Sequence, residues 1–75
     1  MEHMTILGVF LAKRSINKSE VSRKTGISKA RLSQLTLNSS THLRVDELYM
    51  IALAIKVDPA EMFLEVCGGL ELQGE

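Results

Sequence analysis

The side chains with most chemical capacity in this 75-residue chain are cations. Lys18, Arg23, Lys24, Lys29 and Arg31 lie between Asn17 and Leu37, with Glu20 as the one acid among them. Ammonium and guanidinium groups gathered this way suit a polyanion, because each can meet a phosphate oxygen and release its counterion. A solvated charged face on an ordinary helical hairpin is the plainer reading, and charge alone would favour it. Other chemistries have little to work with. Cys67 has no cysteine partner, and His3 and His42 are far apart, whereas a metal site needs three or four ligands. No glycine-rich loop precedes a Lys-Ser/Thr pair. No enzyme, metal, cofactor or small-molecule ligand is expected.

Those cations need elements to position them, and Asn17–Leu37 (NKSEVSRKTGISKARLSQLTL) contains the signals for two helices. Asn17 is a helix cap, and Glu20 three residues later would complete a capping box. Gly26 suits a left-handed residue at the helix end, and Ser28 caps a second helix. The turn Thr25-Gly26-Ile27 is so short that the helices must cross steeply, packing through Val21, Ser22, Ile27, Leu32 and Leu35. This spacing predicts a helix-turn-helix. Its second helix, about Ser28–Leu37, could enter a DNA major groove. The agreement of caps, glycine turn, small residue and apolar ridge decides against the plainer reading.

The rest of the chain reads as supporting helices in one domain, residues 1–75, with a core over about 5–66 and a tail over 67–75. The first helix is expected over Thr5–Arg14, with Leu7, Phe10 and Leu11 as its ridge and Ile6 and Val9 widening it. Gly8 weakens that helix and marks a close contact. Residues Asn38–His42 form a polar loop. A fourth helix over Val45–Ile55 presents Leu48, Ile51, Ala52 and Ile55 to the core. Asp58-Pro59 opens a fifth, with Glu61 completing a box, and Gly68-Gly69 stops it. Met1–Met4 is expected to fray.

Net charge is zero, yet its distribution is polar. Residues 13–44 carry eight basic side chains against one acid, and residues 45–75 carry one against seven. One end therefore suits phosphates. No stretch reaches the roughly 20 apolar residues that span a membrane. The lone cysteine and the lack of a leader segment fit a reducing cytoplasm.

The chain resembles the Cro/repressor-type (Xre family) DNA-binding domain over about residues 5–66. The resemblance rests on Ile16-Asn17-Lys18, Val21-Ser22, Gly26-Ile27-Ser28, Leu32, Leu35 and the run LYMIALAIKVDP from Leu48 to Pro59. It implies an all-α, compact five-helix domain with the helix-turn-helix on helices 2 and 3. It also implies transcription control in a bacterium or phage, usually by a homodimer on palindromic double-stranded DNA. Carried over by position, base reading falls to Ser28, Lys29, Ala30 and Gln34, with Ser33 as an addition. Phosphate contact falls to Lys18, Arg31, Asn38 and Ser39, a base contact being the alternative for Arg31.

Three departures stand out. An Arg of the first helix and a Glu of the third, often paired in the family, are Leu11 and Thr36 here, so the tie between these helices should be apolar. The usual Ser or Thr cap of the fourth helix is Arg44, leaving the capping to Thr41 or solvent. The outer face of the fourth helix carries Tyr49, Met50 and Leu53, which with Phe63 would form a dimer or partner surface. The tail folding back over that surface is the competing expectation. The alternative function is a helical interaction module, such as the partner-binding component of a regulatory or toxin–antitoxin complex.

Overall fold

A computed structural model describes residues 4–74. Met1–His3, where fraying is expected, lie outside the described residues. The described residues form five helices: α1 (Ile6–Lys13), α2 (Lys18–Thr25), α3 (Lys29–Leu37), α4 (Val45–Ala54) and α5 (Pro59–Cys67). Among the described residues there is no strand. The all-α, five-helix class is therefore as the sequence implies.

The helices α1, α2, α3 and α5 each start where a short polar side chain can accept a free backbone N–H. Thr5 Oγ1 accepts from Gly8 N at 3.0 Å, Ser28 Oγ from Arg31 N at 3.0 Å, and Asp58 Oδ1 from Ala60 N at 3.0 Å. Asn17 Oδ1 accepts from Ser19 N at 2.8 Å and Glu20 N at 3.3 Å. Two expected boxes are only half made. Glu20 turns instead to Arg23, and Glu61 faces Arg14 at 3.9 Å, because each carboxylate has a cation within reach. The start of α4 also differs from expectation. Neither Thr41 nor solvent alone serves it: Glu47 Oε1 accepts the Arg44 N–H at 3.0 Å, and Asp46 Oδ1 accepts the Glu47 N–H at 2.9 Å.

The α2–α3 turn is shaped by three neighbouring residues. Thr25 Oγ1 donates to Val21 O at 2.7 Å and accepts from Ile27 N at 3.1 Å. Gly26 adopts φ +81°, a left-handed conformation that strains any side chain, while its N–H bonds Ser22 O at 2.9 Å. The helix ends at Ser15 (φ 54°) and Lys56 (φ 62°) take the same conformation without glycine. There Ile16 N bonds Leu11 O and Val57 N bonds Ala52 O, closing Schellman motifs.

Leu7, Phe10, Leu11, Val21, Leu32, Leu35, Leu48, Ile51, Ala52 and Met62 form the core. Ile6 and Val9 do not widen the α1 ridge; both are exposed. The tie between α1 and α3 is polar as well as apolar, which overturns the expectation drawn from Leu11 and Thr36. Thr5 N bonds Thr36 O at 2.8 Å and Thr5 Oγ1 bonds Leu35 O at 2.7 Å. The positive end of α1 thus meets carbonyls at the negative end of α3. Gly8 permits this approach, since a Cβ there would lie 2.3 Å from Thr36 O.

Candidate nucleic-acid interface

The α3 helix turns Leu32, Leu35 and Thr36 inward, all essentially without exposure. Helical spacing then obliges Lys29, Ala30, Ser33 and Gln34 to face solvent on the opposite side, and all four are exposed, as is Ser28 at the cap. The five positions named for base reading therefore form one open stripe on one helix. Leu37 ends the stripe, 40% exposed.

Lys18 is the first residue of α2 and is half-buried. Asn38 follows α3, and its Oδ1 accepts from Ser40 N at 2.9 Å while its carbonyl accepts from Thr41 N at 3.0 Å. This folds the loop into a turn that exposes Ser39. Lys29 and Lys24 are exposed. Arg23 is paired with Glu20, whose carboxyl is held below its usual range by that hydrogen bond and by Arg23's charge.

Arg31 is placed differently from a free phosphate ligand. Its Nε donates to Glu47 Oε2 at 2.9 Å, and its Nη2 donates to Glu47 Oε1 and to His42 O, both at 2.9 Å. Of its five N–H donors, only those on Nη1 remain for an outside ligand. Glu47 is buried, and the expected site residues do not include it. The available signal was its position three residues after an uncappable Arg44, which identifies it as the acceptor for the N-terminus of α4.

The Arg31 hydrogen bonds, followed by the Arg44 N–H, hold the Glu47 carboxyl below its ordinary value against the opposing effect of burial. The linkage sign is that of a depressed acid. The stabilisation is complete above the unfolded value of about 4.3 and is lost as pH falls through the lower folded value. Thermal melts of the wild type and Glu47→Gln should therefore lie well apart at pH 7 and converge below about pH 4. A gap that persists undiminished at pH 3 would mean that the ionised pair contributes nothing.

The four residues grouped as a partner surface occupy two places. Tyr49, Met50 and Leu53 lie on the outer face of α4, 52%, 40% and 51% exposed. Phe63 lines an open apolar groove of about 650 Å³ with Met4, Ile6, Val45, Val66 and Leu70. The tail touches this groove through Leu70, which remains 81% exposed. Cys67 is a half-buried free thiol beside it. Among the described residues no group of three potential metal ligands occurs, and no helix is long and apolar enough to cross a membrane.

A family model described as the Cro/C1-type HTH DNA-binding domain matches residues 7–64. Comparison with curated proteins and with solved structures gives no match.

Proposed function

The chain belongs to the Cro/C1-type HTH DNA-binding domain family, and from that premise we propose that it is a sequence-specific transcriptional regulator acting in the cytoplasm of a bacterium or of a phage-infected cell. The observation that carries this reading is the exposed stripe Ser28, Lys29, Ala30, Ser33 and Gln34, set against a buried ridge on the same helix. A helix anchored on one face can present the other to the major groove in a fixed register. Lys29 donates to guanine O6 and N7, and Gln34 pairs with adenine N6 and N7. Ala30 meets a thymine methyl, and the hydroxyls of Ser28 and Ser33 bond either partner type. Lys18, Asn38, Ser39 and the Nη1 end of Arg31 contact phosphates and set the register.

The two classes of contact separate in one experiment. Lys18→Ala should weaken every duplex about equally and reduce the salt slope by roughly one. Gln34→Ala should cost about 1–3 kcal/mol on the preferred site and relax one base position. Both are read by titrating duplexes selected from a random pool. Unchanged base preference in Gln34→Ala would remove α3 from the major groove.

The active form is a homodimer. Support comes from the apolar outer face of α4 and from the charge division, which leaves the acidic half available while the basic half meets DNA. A two-fold axis there would set the recognition helices about 34 Å apart, one turn of DNA. Sedimentation equilibrium should show a wild-type dimer and a Leu53→Glu monomer. A wild type that is monomeric at high micromolar concentration, and selects a single half-site, would eliminate the dimer.

A further inference from the structure

A surface built for phosphates has an evident use for Arg31 and no evident use for the carboxylate beside it. Glu47 is 9% exposed, in the first turn of α4, and joins three parts of the molecule. Its two oxygens take the Nε and Nη2 of Arg31 from α3, and Oε1 also takes the Arg44 N–H at the end of the 38–44 loop. Arg31 Nη2 simultaneously holds the His42 carbonyl of that loop. The guanidinium is thereby fixed along one edge, with the Nη1 end left over. The side chain of Arg31 retains 31% exposure.

We propose that Glu47 is a positioning residue for DNA binding: it fixes the Arg31 guanidinium so that Nη1 meets a backbone phosphate, and it steadies the loop that carries Asn38 and Ser39. The inference rests on the DNA-binding reading above. An arginine held at two donors retains few rotamers, so little conformational freedom is left to lose when the phosphate arrives. The same bonds tie His42 and Arg44, at the far end of that loop, to α3 and α4.

Electrostatics gives a test in which the sign decides. Glu47 adds negative charge near the phosphate path, so an effect of charge alone makes its removal tighten DNA binding. Loss of positioning weakens it. The probe is the duplex that the wild type selects from a random pool. With Glu47→Gln, which keeps the shape and removes the charge, we expect about tenfold weaker binding at 0.1 M salt and a salt slope smaller by roughly one. Preference at the Gln34-read base is expected to persist. Arg31→Lys keeps the charge but lacks the fork, and should lose affinity to a similar degree. Circular dichroism melts ensure that only folded protein is compared, and Arg31→Lys carries the test if Glu47→Gln does not fold. Equal or tighter binding by folded Glu47→Gln, or unchanged affinity in Arg31→Lys, overturns the inference while leaving DNA binding intact. A wild type that selects no duplex overturns both.

Discussion

Gly8→Val is expected to lower the melting temperature by roughly 15 °C, from a loss of about 3 kcal/mol at this chain length. A Cβ at position 8 would stand 2.3 Å from the Thr36 carbonyl oxygen, whereas ordinary contact begins near 3.4 Å. The obstacle is backbone at the end of α3, so no side-chain rotation relieves it. Separating α1 from α3 by about 1 Å would stretch the bonds from Thr5 N to Thr36 O and from Thr5 Oγ1 to Leu35 O. Overpacking of this kind costs about 1–3 kcal/mol. Each lost hydrogen bond adds about 1 kcal/mol. The shift would also draw Leu7, Phe10 and Leu11 away from Leu32 and Leu35, which share the core. Gly8→Ala should cost less, because alanine's better helix propensity returns up to about 1 kcal/mol. Melts of both variants by circular dichroism check the order. Equal stability of wild type and Gly8→Val would show that α1 does not pack on α3 through this glycine.

The same contact shows what a sequence conceals. Caps at Thr5, Asn17, Ser28 and Asp58 are legible because cap and acceptor lie within one turn, where residue type nearly fixes geometry. Gly26 is legible because a short turn between helices needs a left-handed residue. The α3 stripe follows from its own period, with Leu32 and Leu35 marking the inner face. The bond from Thr5 to Leu35 O spans thirty residues, and that from Arg31 to Glu47 sixteen. Nothing local announces either. Glu20 and Glu61 depart from their expected capping boxes for a related reason. A long acidic side chain reaches both a cap N–H and a nearby cation, and Arg23 and Arg14 are the partners adopted here. Ser15 and Lys56 enter left-handed turns with no glycine to signal them; the Schellman hydrogen bonds offset the strain. Exposed Ile6 and Val9 show the limit of counting apolar residues on a helix, since the buried face of α1 is taken by Leu7, Phe10 and Leu11.

Arg31→Met should lower stability at pH 7, a loss that weighs heavily in a chain this small. The loss comes from the partner left behind. Without the guanidinium, the Glu47 carboxylate keeps the Arg44 N–H but loses both charge-assisted bonds in a buried position. Breaking one side of a buried pair is destabilising, and the partial exposure of Arg31 moderates the loss here. The pH dependence should then flatten. In the wild type Glu47 is held below its ordinary range, so acid removes stability. In Arg31→Met the Arg44 N–H and charge still oppose desolvation, but the larger lowering effect of Arg31 is gone and the folded value moves up toward the unfolded one. The variant should therefore lose less stability than the wild type as pH falls below about 4.3. Arg31→Met combined with Glu47→Leu removes the stranded charge and should recover most of the loss, as apolar replacements of buried pairs often do. Denaturant melts of wild type, Arg31→Met, Glu47→Leu and the double variant between pH 3 and 7 give the coupling energy directly. A coupling near zero, or a double variant no more stable than Arg31→Met, would mean that Glu47 is steadied by its place in α4 and not by the arginine on the recognition helix.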